Sequence, residues 1–290
     1  MNALGPSEIS ARRRPFAMLA IAGFRLFAGF CLALPFSSLV ASTGIGTRAE
    51  GDRALFEGGG YLLLELLRLH AGELVATARG LMPLFLLGLV LTCACNVALL
   101  IALNVRERLT SREWLALTWV RLPAQLGVVA GAALAQLLIV FAGSIALGVI
   151  PEPLAKPVAT TLAQIAVLVL LAVLAGAVGG FADVTKASLV RHEAPLGQSL
   201  ARAWSCVRSR PISACFGWVP YAASFVVAAL GVAKLTDVVD VSRAGAWRLA
   251  AVFVVHQLVV LLSVACRTAW SARVLRLVAT ETHRAQSPVL

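Results

Sequence analysis

His256 and Gln257 stand side by side in 249–266, a stretch of the chain without Asp, Glu, Lys or Arg. An imidazole takes up and releases a proton near neutral pH, and both of its ring nitrogens want hydrogen-bond partners. Carboxamides recur in the other charge-free stretches: Asn96 in 80–105, Gln125 and Gln136 in 122–151, Gln164 in 157–182. Arg25 directly precedes a further one, 26–47. Gathered at one depth, His256, Gln257, Gln136, Gln164, Asn96 and Arg25 would form a polar intramembrane site for a proton or a small solute, because an ionisable group inside a bilayer is costly. Dispersed, they would be hydrogen-bond clips between helices. Both readings stay open on the sequence alone. The depth of Arg25 is open too: it is buried if the first span begins at Phe16 and at the rim if it begins at Leu26.

Other chemistry is missing from the pattern. There is no P-loop, no HExxH, no GxSxG and no clustered acidic pair within a charge-free stretch. Nucleotide hydrolysis, metalloprotease chemistry and serine-nucleophile chemistry therefore have no carrier. Cys31, Cys93, Cys95, Cys206, Cys215 and Cys266 sit in the apolar stretches or on the basic side, and none in an external loop, so disulfides are not implied. Cys93 and Cys95, two apart on a helix, face different ways and make a poor metal pair. The expectation is a non-enzyme with no cofactor and no metal, its cysteines acting as small hydrophobes.

The polar residues need helices to hold them. Of the 290 residues, 60% are apolar and 13% charged, and the mean hydropathy is +0.88. A soluble globule of this size cannot hide that much apolar surface, and the same numbers exclude a disordered chain and a disulfide-rich secreted scaffold. Six stretches free of charge are long enough to cross a bilayer. They imply an all-α, polytopic, single transmembrane domain over residues 1–290, with spans at about 20–44, 80–104, 122–150, 157–181, 211–233 and 248–267. A β-barrel is rejected because the stretches are continuous rather than alternating. Pro83, Pro123, Pro157 and Pro211 each fall near the expected first turn of a span. Pro35 and Pro220 lie inside spans one and five and predict kinks. Pro151-Glu-Pro153 makes a short turn between spans three and four. Residues 1–47 have a signal-peptide-like arrangement, but the apolar part exceeds a usual h-region, so the segment is read as an uncleaved first span.

The charges orient the bundle. The N-terminal tail, the second and fourth loops and the C-terminus hold sixteen Lys and Arg against six acids. The first, third and fifth loops hold eight of each. By the positive-inside rule both termini are cytoplasmic, in a cell inner membrane. The net charge of +11 is then a property of one face that attracts anionic lipid headgroups, and not the footprint of a nucleic-acid binder.

That face carries amphipathic segments. In 196–207, Leu196, Leu200, Ala203, Trp204 and Val207 fall on one helical side. Trp204 suits the headgroup level, with Arg202, Arg208 and Arg210 against anionic lipid, which describes an interfacial helix. A shorter version, 111–121, begins near Ser111 and carries Trp114 and Trp119. Val105-Arg106-Glu107 with Trp119 parallels Val190-Arg191-His192-Glu193 with Trp204, and 267–276 with Trp270 is a weaker echo, so three parallel hairpin repeats are one reading and chance similarity among Arg-rich loops the other. The first external loop is the long one. Its part 44–60 is Gly-rich, and 61–79 has Glu65, Arg68, Gly72, Ala76 and Arg79 on one face, as for a helix on the outer leaflet. Gly127, Gly131 and Ala135 on span three, and Ala172, Gly176 and Gly180 on span four, are small-residue stripes of the kind that let helices approach.

Val190-Arg191, Leu200-Ala-Arg-Ala-Trp204, Arg208 and Arg210-Pro211 carry a resemblance. Over about 50 residues the chain resembles the span–interfacial-helix–span unit of poorly characterised bacterial six-span membrane proteins, a group that includes the membrane domain found fused to glycerophosphoryl diester phosphodiesterases. The resemblance implies the same six-span architecture. It implies no catalytic residues, and the phosphodiesterase activity is not carried over. Glu193-Ala194 with Gly197 and Pro211 is also similar to the coupling loop of ABC importer permeases, although the Gly comes too early. Two functions follow. One is a non-catalytic scaffold or accessory subunit with a basic, lipid-facing cytoplasmic surface, working with a membrane-protein partner or a second copy of itself. The other is a small-solute or lipid transporter with a mid-membrane site near His256.

Overall fold

A computed structural model describes residues 3–42, 61–107, 109–149, 157–239 and 246–286. The Gly-rich part of the first loop and the Pro151-Glu-Pro153 turn lie outside the described residues. The helices are α1 (Pro15–Ser42), α2 (Tyr61–Leu69), α3 (Ala71–Asn104), α4 (Ser111–Val149), α5 (Pro157–His192), α6 (Leu196–Ser209), α7 (Pro211–Cys215), α8 (Val219–Val239) and α9 (Ala246–Gln286). No strand occurs among the described residues, only an isolated bridge between Ala3 and Val105. Six candidate spans are long and apolar enough to cross a membrane, so the chain is an all-α, multi-pass membrane protein.

Several helices overrun their charge-free stretches. α3 starts nine residues before the expected span, and Pro83 lies inside it. α4 starts at Ser111, so 111–121 is no separate interfacial helix, and Pro123 is interior. A proline removes one backbone hydrogen bond, and in a membrane helix neighbouring groups make good the loss, so the ladder runs on through both. The start of α4 is fixed by a reciprocal capping box: the Thr110 hydroxyl accepts from the Glu113 amide at 3.3 Å, and the Glu113 carboxylate accepts from the Thr110 amide at 2.9 Å. The cap is thus Thr110, one residue before Ser111. Pro157 and Pro211 do stand at helix starts. α5 stops where Glu193 takes a left-handed conformation (φ 52°), with Pro195 just beyond. Span five is divided: α7 ends at Cys215 and α8 begins at Val219. Pro220 therefore occupies a first turn, where it costs nothing, and does not kink a continuous helix.

The chain falls into two compact units. One comprises residues 1–15, 93–222 and 267–290. Its core gathers at the basic ends of the helices: Val97–Val105 on α3 and just beyond it, Val184, Ala187 and Val190 on α5, Ala203 on α6, and Trp270, Leu275, Val278 and Ala279 on α9. The N-terminal strap packs Leu4 and Ile9 into this core. Arg14 donates to the carbonyls of Ala102 and Val105, both at 3.0 Å. These belong to the end of α3, where carbonyls lack intrahelical partners. Arg191 ties α5 to the strap through Leu4 O (2.7 Å) and to the end of α3 through Asn104 Oδ1 (2.8 Å).

α4 and α5 run antiparallel in a register set by three side chains of α4. Arg121 Nη1 donates to Val190 O (2.6 Å), Gln125 Nε2 to Lys186 O (3.0 Å) and Gln136 Nε2 to Ala175 O (3.0 Å). Steps of 4 and 11 residues along α4 are matched by steps of 4 and 11 residues back along α5. Gly180 admits the backbone of α7: a Cβ there would overlap Cys215, and one at Gly176 would come within 2.9 Å of the Trp218 ring. The stripe on α4 behaves differently. Nothing lies within 4 Å of a Cβ built on Gly131, so that stripe lines a groove rather than a seam.

The other unit comprises residues 16–92 and 223–266. Ile21 and Ala22 of α1 are buried in it, and Arg25, half-buried, donates to Ser263 Oγ at 3.2 Å. α2 and α3 are separated by His70, so 61–79 is not one surface helix, and Glu65 pairs with Arg68 at 2.8 Å on α2.

Candidate functional site

Asp183 is the first charge after the apolar stretch of α5, and Arg267 the first after that of α9. Each marks the end of its helix's charge-free stretch. Arg267 grips Asp183 with two parallel bonds, Nη1 to Oδ2 and Nη2 to Oδ1, both 2.8 Å. Lys186 Nζ, one turn along α5, donates to Oδ1 at 3.0 Å, and Trp270 Nε1, one turn along α9, donates to Oδ2 at 2.7 Å. The carboxylate thus accepts four hydrogen bonds and is saturated. Its side chain is only 14% exposed, whereas that of Arg267 is 35% exposed. A low-dielectric surround makes such a charge-assisted pair strong and its disruption expensive.

The exposed side of this cluster is the floor of a cleft of about 580 Å³. Its walls are small: Ala132 and Ala133 from α4, and Ala172, Ala175, Gly176 and Gly179 from α5, with Gln136 and Trp218 completing them. A gap of only about 20 Å³, bordered by Asn96 and Ser271, lies against the same cluster. A second groove, of about 460 Å³, is apolar. It runs between α4, α5 and α6, past Gly127, Gly131, Phe181, Leu196, Leu200 and Trp204.

The polar residues singled out by the sequence fall in both units, Gln136, Gln164 and Asn96 in the first and Arg25, His256 and Gln257 in the other. Gln136 and Asn96 border the two spaces around Asp183. Gln164 is exposed on α5. His256, in the other unit, is exposed and donates from Nδ1 to Val252 O of its own helix at 2.8 Å. Gln257 Oε1 is buried with no hydrogen-bond partner among the described residues. On the basic side, Arg202, Arg208 and Trp204 are exposed, Arg210 is half-buried, and Trp119 is exposed. Trp114 is half-buried and donates to Ala98 O at 3.1 Å, so it joins α4 to α3. On α6 the fully buried residues are Ser199 and Ala203, one strip away from Leu196, Leu200 and Trp204.

Two members of the central cluster escaped the sequence reading. Lys186, one turn from Asp183 on α5, is the local partner, and Arg267 and Trp270, 84 and 87 residues further along the chain, supply the rest. Trp270, placed by the sequence in an interfacial echo, is 2% exposed. The signal was available: Val264, Thr268, Ser271, Leu275 and Val278 repeat at helical spacing without a charge, which marks 264–278 as a packed face. Outside the spans, Cys206 is buried on α6, with Glu281 of α9 across a small pocket. Burial, aided by the Glu281 charge and opposed by Arg210, pushes its thiol up to about 11.

Comparison of the chain with protein-family models, with curated proteins and with solved structures finds no match.

Proposed function

We propose that the chain is a non-catalytic scaffold or accessory subunit of a bacterial inner membrane, with both termini in the cytoplasm and its basic face against anionic lipid. The observation that carries this reading is the placement of specific structure. Most described polar contacts of the first unit, Gln136 with Ala175 excepted, and its buried core gather at the basic helix ends, while the spans beyond them present leucine, valine and phenylalanine outward. α6 supports an interfacial role, since Leu196, Leu200 and Trp204 are exposed along one side and Arg202 and Arg208 along another. The same segment carries the resemblance to the membrane domain fused to glycerophosphoryl diester phosphodiesterases, and an accessory role beside lipid-handling proteins fits it.

The test is lipid dependence and topology together. Purified full-length protein reconstituted with phosphatidylglycerol is expected to be more heat-stable than with phosphatidylcholine, and Arg202→Gln with Arg208→Gln is expected to reduce that difference. Reporter fusions at both termini are expected to read cytoplasmic. Solute uptake into proteoliposomes that His256→Ala abolishes, at unchanged fold, would overturn the reading in favour of transport.

A further inference from the structure

The cleft beside Asp183 has a floor and walls of opposite character. Lys186 spends one of its three N–H donors on Asp183, and Arg267 two of its five. The carboxylate has no acceptor capacity left. The unspent capacity at the floor is therefore all donor, and two cations against one anion leave it net positive. The walls are mostly alanine and glycine, which leave the space open; Gln136 and Trp218 complete them, with an N–H of each donated to a backbone carbonyl, Ala175 O and Cys215 O. From Asp183 to Ala172 is eleven residues of α5, about 16 Å of helix. One leaflet of the hydrocarbon core is about 15 Å deep. The cleft thus starts at the charged boundary and runs the depth of one leaflet, with a volume in the range of small-ligand sites.

We propose that this cleft is a built-in site for one anionic lipid, with its phosphate on Lys186 and Arg267 and an acyl chain against Ala133, Ala172 and Ala175. The proposal deepens the lipid-facing reading above and rests on its assignment of the basic end to the membrane boundary. It differs in naming an internal, stoichiometric site rather than a surface. The chemistry shared with a free anion is the phosphate; the acyl chain separates the two sources.

The experiment uses the full chain in mild detergent, titrated with phosphatidylglycerol, phosphatidylcholine or inorganic phosphate, with bound lipid counted by native mass spectrometry and phosphate by equilibrium dialysis. One phosphatidylglycerol is expected to bind about tenfold tighter than phosphatidylcholine, the equivalent of about 1.4 kcal/mol. Lys186→Gln is expected to erase that preference. Ala133→Leu with Ala172→Leu, both at exposed positions that leave the ion cluster intact, is expected to weaken both lipids together. Two results would overturn the proposal: phosphatidylglycerol binding untouched by Lys186→Gln and by the two leucines, or phosphate binding as tightly as the lipid and indifferent to the leucines. Arg202→Gln with Arg208→Gln separates the two readings. If that variant alone loses the preference, the surface reading stands and the cleft proposal falls. If the preference survives there and is lost in Lys186→Gln, the cleft stands without the surface.

Discussion

Replacing Asp183 by Asn tests whether the cluster at the basic end holds the first unit together. The substitution preserves shape and one oxygen but removes the charge. It turns two acceptor positions that face Arg267 and Trp270 into an acceptor and an amide that opposes them. All four bonds are charge-assisted by the carboxylate, and three of them also have a charged donor, from one guanidinium and one ammonium. Removing one partner of a fully buried pair costs about 3–5 kcal/mol. Arg267 keeps 35% of its side-chain exposure, so water recovers part of its solvation, and the expected loss is lower, about 2–3 kcal/mol. Arg267→Gln alone leaves the carboxylate, 14% exposed, with Lys186 and Trp270 as its remaining donors, and is expected to cost about as much. The double variant removes both charges of the Asp183–Arg267 pair and leaves Lys186 facing a neutral amide as in Asp183→Asn, so the coupling of that pair in the cycle is expected at about 1–3 kcal/mol. The assay is unfolding of the full chain in mixed micelles with rising dodecyl sulfate, followed by far-ultraviolet circular dichroism. A loss below about 0.5 kcal/mol for Asp183→Asn, or additive single variants, would refute the reasoning, since neither is compatible with a saturated, shielded carboxylate.

Three further outcomes follow from particular contacts. Gly180→Val forces a side chain onto the Cys215 backbone and is expected to destabilise by more than about 2 kcal/mol, whereas Gly131→Ala, with open space around it, is expected to be neutral or slightly stabilising in the same titration. Cys206, buried and with its thiol pushed up to about 11, is expected to resist maleimide at pH 7.5 until the protein is unfolded, and fast labelling of the folded protein would contradict the burial of that side of α6. Gln125→Leu removes a fully buried clip and is expected to cost about 1 kcal/mol, with Gln136→Leu costing less because that residue is only half-buried; equal costs would show that burial does not set the strength of these bonds.

The six spans were legible because charge is the one property a bilayer filters strictly, and the gaps between charges survive any local irregularity. Helix ends were less legible. Pro123 read as a start because a proline at a first turn and one inside a helix look alike in sequence, and only the Thr110–Glu113 capping box, itself a readable pattern, distinguishes them. Pro220 failed in the opposite sense: it read as a kink, and the helix instead breaks at Phe216–Trp218, around Gly217, where a Cβ would meet Ser213 O and the Trp270 ring. The site was the least legible part. That Asp183 ends one stretch and Arg267 another can be read from the chain, but their meeting is a long-range packing event between helices 84 residues apart. Trp270 misled because tryptophan among arginines is the usual mark of an interface, and its neighbours at helical spacing had to be weighed against that mark.

The register of α4 on α5 explains why the informative residues crowd one end. Inside the hydrocarbon, Leu137, Leu138 and Phe141 are exposed and meet lipid as apolar as themselves, so sliding one helix along the other changes little of their energy. Only directional contacts distinguish one register from the next. Arg121, Gln125 and Gln136 supply three, each aimed at a carbonyl, and a slip of one helical turn breaks all of them at once. Two of the three lie at the basic end, beside Asp183, since there a long polar side chain can be satisfied by the partner helix without crossing the bilayer. The same economy accounts for the strap of residues 4–14 and the extension of α9 beyond its span. Both add buried contacts outside the hydrocarbon, where removing apolar surface from water stabilises the fold, rather than within it, where burial gains almost nothing.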